Sequence, residues 1–419
     1  MNRKLLALAV AGALAPAAAM AQTSNVVLSG QMKLGYEYLQ PDGANSNAGA
    51  TQSFDTGRVA NETSFVRFSG SEDLGGGLRA VFQIESSING DSQGGLWSSR
   101  NTGVGLSSAA LGTLMFGRWD AYYSWHTPVE GAGFGGNVLA LKANSLNLLN
   151  WSNGQGVAGD RLSNVIRYVT PNWRGFEVEG IYSFDSEPTT PGGINRDQQG
   201  KPWEAAIGGR WISGPFAAVA SYIRRQNQGL PNYADTAQAG DTAALAQSLI
   251  GGNNGNALPA NMGTLNLDGV RFGGSWTFGF GTGFNAKIGG IVDWISWEQN
   301  INNNTTKRTS ERWAYSVPLS LSFGPSTVYG TWALAQDAEG DNNPCRASST
   351  RGCTGSDTGA QMWMIGYDYA LSKRTSVGGN WVLIDNQGNG YYDFWSRGVG
   401  TNTAGKDPSS FYVGLRHLF

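Results

Sequence analysis

Thr113-Leu114-Met115-Phe116-Gly117-Arg118, Ser163-Asn164-Val165-Ile166-Arg167-Tyr168 and Phe176-Glu177-Val178-Glu179-Gly180-Ile181-Tyr182 are three short runs in which apolar and polar residues alternate. A period of two puts successive side chains on opposite faces of a strand. Between the first two runs the alternation lapses over residues 119–162, which are rich in Gly, Asn and aromatics and include Gly159-Asp160-Arg161 near their end. Between the second and third only Thr170-Pro171-Asn172 intervenes. A connection of about forty residues without structure is uncommon in a compact domain and is usually functional. These runs predict a sheet that is greasy on one face and wet on the other. The long connection is expected to fold into the wet side and narrow a channel.

The same alternation runs through the rest of the chain. Val26, Leu28, Met32, Leu34, Tyr36 and Tyr38 share one face of a first strand, with Ser29, Gln31, Lys33 and Glu37 on the other. A polar loop is expected over 40–61. Phe65-Val66-Arg67-Phe68-Ser69-Gly70 and Leu78-Arg79-Ala80-Val81-Phe82-Gln83-Ile84-Glu85 follow, joined by a tight Gly75-Gly76-Gly77 turn. From there tight turns near 107–112, 171–175, 213–215, 279–281, 324–325 and 372–374 alternate with long connections near 88–98, 119–162, 185–201, 225–266, 298–307, 336–359 and 386–408. A short helix is expected over 242–249. Trp313, Tyr315, Val317, Leu319, Leu321 and Phe323 alternate with small residues and Pro318, where a bulge or gap in the ladder is expected because proline lacks an N–H.

The pattern is that of an up-and-down meander with one bare rim and one dressed rim. Aromatics near strand ends (Tyr36, Tyr38, Trp276, Phe278, Trp294, Trp313, Phe323, Trp363) fit two interfacial girdles. A soluble β-sandwich would carry loops of similar length at both ends, which this chain does not. The fold expected is all-β, a 16-stranded antiparallel transmembrane barrel with an inward-folded third loop, the even number returning both termini to one rim.

Residues 1–21 read as a cleaved signal peptide and 22–419 as the barrel domain. Arg3-Lys4 forms a basic start, residues 5–18 an apolar core, and Ala19-Met20-Ala21 a small-x-small cleavage site before Gln22. The chain has 29 basic and 31 acidic residues and a formal charge of −2, so loss of Arg3 and Lys4 leaves −4. Mild acidity gives no basic stripe for a nucleic-acid partner. Gly 61 and Trp 15 are high for a soluble domain of 419 residues. After residue 21 no apolar run approaches the roughly 20 residues of a spanning helix. Cys345 and Cys353 are the two cysteines, and in an oxidising compartment they are expected to close a small disulfide loop. Neither a metal site nor a cofactor is expected.

With these residues in view, the chain resembles the Gram-negative general porins of β-proteobacteria. The likeness runs end to end. It rests on residues 70–78 (GSEDLGGGL), 104–107 (VGLS), Gly117-Arg118, 164–172 (NVIRYVTPN), 366–375 (GYDYALSKRT) and 414–419 (GLRHLF). The last ends in Phe419, which resembles the family's signal to the outer-membrane assembly machinery. The resemblance implies a homotrimer of 16-stranded barrels set among outer-membrane lipid and lipopolysaccharide. Each barrel would hold a water-filled pore for small hydrophilic solutes and ions. It also implies an inward third loop facing a ladder of arginines.

A pore needs a constriction and a transverse field rather than a catalytic group. The basic side is assigned to Arg67, Arg118 and Arg161, the acidic side to Asp120 and Glu130. Alternation places Arg67 inward, since Val66 and Phe68 face lipid, and groups Arg161 with Val165, Arg167 and Val169. Arg118 comes from the resemblance, because Phe116 should face out. Three departures from the family stand out: Phe65 where an arginine is common, Gln31 in place of a lysine with Lys33 on the same face, and Gly133 in place of an acid before Phe134-Gly135-Gly136. Arginine then outnumbers carboxylate at the neck, and a weak preference for anions follows. The structural alternative is that some of these arginines are paired and anchor the loop.

Other apparent motifs fail on context. Gly131-x-Gly133-x-x-Gly136 spells a dinucleotide fingerprint without a strand-turn-helix around it. His126 and His417 lack triad partners for a membrane-embedded hydrolase, and Glu177 and Glu179 simply share a wet face. A substrate-specific channel, with Trp119, Tyr122, Tyr123 and Trp125 as a slide for sugars or aromatic acids, is the closest rival. A plugged structural or adhesive barrel is the other.

Overall fold

A computed structural model describes residues 25–42, 55–92, 97–121, 129, 146–149, 161–184, 203–229, 264–281, 283–301, 306–340, 355–390, 392–394 and 405–419. Its strand segments are β1 (Asn25–Asp42), β2 (Thr56–Asn61), β3 (Phe65–Gly75), β4 (Leu78–Ser87), β5 (Thr102–Ser108) and β6 (Gly112–Asp120). They continue as β7 (Arg161–Val169), β8 (Phe176–Ser183), β9 (Trp203–Ser213), β10 (Phe216–Gly229), β11 (Thr264–Phe280) and β12 (Phe284–Ile301). The last are β13 (Thr306–Phe323), β14 (Ser326–Ala335), β15 (Ala360–Ala370), β16 (Thr375–Asn386) and β17 (Asp407–Leu418). Between β6 and β7 the described residues include a short helix, α1 (Leu146–Leu149).

Sequence neighbours pair antiparallel throughout, and β17 closes the sheet on β1. β2 and β3 are halves of one barrel strand: β1 pairs with β2 through residues 34–39 and with β3 through 25–31. Thr63, at φ 63°, marks the break between them. The barrel therefore has the sixteen strands the alternation predicts. Closure removes every sheet edge, which is what lets β-structure cross lipid.

The short connections fall at one rim and the long ones at the other, as the turn spacing predicts. Two boundaries differ. The expected loop over 40–61 contains β2, whose polar Thr56-Gly57-Arg58 start hides its pairing with Tyr36 and Tyr38 on β1. The expected loop over 298–307 shrinks to 302–305, because β12 and β13 each extend for 18 residues. At Pro318 the β12–β13 ladder lapses between Ile288–Leu319 and Ile291–Ser316 with its register unchanged: a gap, not a bulge. The expected helix over 242–249, the Cys345–Cys353 pair and residues 1–21 lie outside the described residues.

Alternation sorts the two faces. Leu28, Tyr36, Phe116, Phe272, Trp276, Trp313, Trp363 and Phe411 point outward and are exposed. Aromatic pairs such as Phe216–Trp276 and Phe284–Phe323 stack across strands near the short-turn rim. Burying such rings in the interface between lipid and water fixes the barrel's height. The inner face is polar or charged over most of its area. Two apolar clusters are buried: one includes Leu162, Val165, Ile181, Ala206, Ile223, Leu267, Ile295 and Trp297, with Trp119 packed against it, and the other includes Val129, Leu148, Leu149, Ile291, Tyr329 and Met362.

Candidate pore neck

The inner wall is built on cross-strand pairs of arginine and carboxylate. Directly opposite partners are Glu37 and Arg58, Arg67 and Glu85, Glu177 and Arg210, Glu204 and Arg225, and Arg271 and Asp293. Each closes as an ion pair, at 2.9, 2.5, 2.6, 2.5 and 2.8 Å in that order. Opposed charges on adjacent strands stabilise the register, and like charges oppose it. Lys33 nevertheless lies opposite Arg416 across the closing seam, both on the inner side. Glu177 and Glu179 are both engaged, by Arg210 and by Arg167 at 2.9 Å.

Glu85 is 1 % exposed and holds two guanidiniums, Arg67 and Arg100, each at 2.5 Å. The Arg67 side chain remains 37 % exposed to the lumen. Both guanidiniums stack on the Phe65 ring, 5.1 and 5.2 Å from its centroid. Cation–π contact of this kind holds an arginine without neutralising it. Phe65 thus orients two arginines. Arg100 escapes a reading by alternation because it belongs to the connection before β5.

Arg161 and Asp120 pair at 2.6 Å, each side chain 13 % exposed. Asn101 bridges them, accepting from Arg161 Nε at 2.9 Å and donating to Asp120 at 2.8 Å. Arg118 donates to the Ser163 hydroxyl. Gly117 faces Val165 but Trp119 faces Leu162, so β7 carries a bulge, with Asn164 at φ 53°. The extra residue reverses the alternation, and Leu162 rather than Arg161 joins Val165 on the inner patch. The period-two argument for Arg161 therefore fails at this point. Asp120 lies between Trp119 and Ala121, which both belong to that patch. Arg167 stacks over Trp119 at 4.6 Å. Glu130 and His126 lie outside the described residues.

Of the long connection, Val129 and α1 are described, and both sit against the inner wall. Leu148, Leu149 and Val129 are fully buried. Arg312 of β13 donates Nη1 to the Leu148 carbonyl and Nη2 to the Leu149 carbonyl, the latter at 2.6 Å. Its Nη2 also lies 3.3 Å from Asp293 Oδ1, whose other oxygen binds Arg271 at 2.8 Å. A Cβ on Gly289 would come within 2.7 Å of the Val129 carbonyl and 3.0 Å of Pro318. The gap in the ladder is where Val129 approaches. Arg271 and Arg312 stand beside the outward Phe272 and Trp313, and nothing in the sequence joins them or Asp293 to residues 148 and 149. Among the described residues no group of three His, Cys, Asp or Glu could hold a metal.

A family model described as Gram-negative porin matches residues 7–389. Outer membrane porin protein 32 of Delftia acidovorans is 27 % identical over 425 residues, covering 100 % of both chains. An outer membrane porin protein of Bordetella pertussis is 27 % identical over 335 residues, 74 % of this chain and 73 % of that protein. The solved anion-selective porin from Comamonas acidovorans superposes with a TM-score of 0.63 at 22 % identity, covering 94 % of this chain and 100 % of that one. OmpT of Vibrio cholerae in its trimer form gives 0.59 at 14 % identity over 94 % of this chain and 99 % of its own. These likenesses are to the barrel.

Proposed function

The chain belongs to the Gram-negative porin family, and on that premise we infer that it is a passive outer-membrane channel with a weak preference for anions. Small hydrophilic solutes and ions are its cargo. Family and fold point to a channel rather than an enzyme. The observation that carries the anion preference is the Glu85 node, where one buried carboxylate serves two guanidiniums and Arg67 still faces the lumen. Lys33 lies opposite Arg416 on the same wall. Local charge lining a constriction, not net charge, sorts ions.

In this reading Arg67, with Arg100, forms the basic side of the neck. Arg118, Arg161 and Asp120 form a frame that fixes both ends of the connection over residues 122–160, and Glu130 supplies acid within it. Support for an inward connection comes from the burial of Val129, Leu148 and Leu149 against β12 and β13. A homotrimer is the assembly this reading carries. No outward tryptophan occurs on the described strands β1–β6, whereas Trp211, Trp276, Trp294, Trp313 and Trp363 ring the other side. The face without tryptophan is the one suited to a neighbouring subunit. The signal peptide directs export and is cleaved after Ala21, so the mature protein should start at Gln22 on N-terminal sequencing.

A second reading, a channel specific for aromatic acids, is favoured by two aromatic rings under guanidiniums, Phe65 and Trp119. Swelling of protein-loaded liposomes in neutral sugars of increasing size separates the two. Flux linear in concentration and falling smoothly with size supports the general pore. Flux that saturates, or is blocked by benzoate at low concentration, supports the specific channel.

A further inference from the structure

We propose that Arg312 is a positioning residue that fixes the bore of the pore by clamping α1, and the connection it belongs to, onto the β12–β13 wall. This rests on the channel reading above. Arg312, Asp293 and Arg271 are all 0 % exposed at their side chains. Asp293 bridges the two guanidiniums, and all three charged side chains are out of reach of water. Such a cluster is stable only when its remaining donors are satisfied. Acceptors for both terminal nitrogens of Arg312 come from outside the wall: the Leu148 and Leu149 carbonyls of α1. These carbonyls belong to a four-residue helix, whose last carbonyls have no partner within the helix. Wall and connection each satisfy what the other leaves open.

A second connection joins the same point. Tyr392, buried in the connection between β16 and β17, has its hydroxyl beside Arg312. Burial pushes the Tyr392 hydroxyl above its usual range while Arg312 draws it down. Val129 gives an independent contact further along the same wall, where its carbonyl approaches Gly289 beside Pro318. Arginine is required for geometric reasons. Its planar fork offers both terminal nitrogens to two adjacent carbonyls, whereas a lysine ammonium is a single point charge.

The test uses the full-length refolded protein with Arg312→Met and Arg312→Lys. Sheet content by circular dichroism and resistance of the assembly to SDS report folding. Single-channel conductance, open-channel noise and the rate of proteolysis within residues 122–160 report the clamp. The clamp predicts a roughly two-fold rise in conductance for Arg312→Met, with greater noise and faster cleavage, and Arg312→Lys between it and wild type. Wild-type conductance, noise and cleavage in both folded variants would overturn it. Where Arg312→Met does not fold, Arg312→Lys decides by the same criteria. A wild-type protein that does not conduct counts against the channel reading instead, and the cleavage rates then decide whether Arg312 holds the connection.

Discussion

Glu85 is where a single side chain has most leverage over selectivity, because it is the shared counter-ion of Arg67 and Arg100. Replacing it with glutamine keeps its shape and leaves both guanidiniums uncompensated, so Glu85→Gln should raise the anion preference read as reversal potential. Arg67→Gln should lower it. An equal reversal potential in both variants would mean that the neck lies elsewhere. Gly30 tests the closing seam. It exchanges backbone hydrogen bonds with Phe419 at 3.0 and 3.2 Å, and a Cβ there would come within 2.6 Å of the Phe419 ring. Overpacking of this kind costs about 1–3 kcal/mol, so Gly30→Ala should lower the temperature at which the barrel loses SDS resistance. At this scale the sequence was legible where strands are regular. Arg67 is directly opposite Glu85, and alternation alone turned it inward. Alternation does not place Arg161, because an extra residue near Asn164 is not visible as a bulge until its partner strand is known.

Strands announced themselves by alternation, and their number and the long-short rhythm of connections were readable before any coordinates. What was not readable was pairing that runs past the polar rim. β2 is too polar to look like a strand, and β12 and β13 continue through Trp297, Glu298 and Gln299 into what composition marks as loop. Such segments are held by their ladder partners rather than by an apolar face. The Pro318 gap was expected from chemistry, yet its occupant was not. Gly289, beside that gap, leaves the space that the Val129 carbonyl approaches. Gly289→Val should therefore push Val129 off the wall and speed proteolysis within 122–160 without changing sheet content. An unchanged cleavage rate would show that the contact carries no weight in holding the connection.

The whole molecule sets two charges against each other. The formal charge of the chain is −2, while the described inner wall presents an arginine surplus at the Glu85 node and two cations across the closing seam. Over a Debye length of about 8 Å at physiological salt, an ion in the neck senses the wall and not the distant loops. The anion preference should accordingly shrink as salt is raised, and the open-channel current should remain ohmic. The most direct test is the reversal potential of the reconstituted protein in a planar bilayer under a KCl gradient. The account predicts large ohmic steps whose reversal potential carries the sign of chloride. A potential with the sign of potassium would contradict the assignment of the neck, and a bilayer that stays silent would contradict the pore itself.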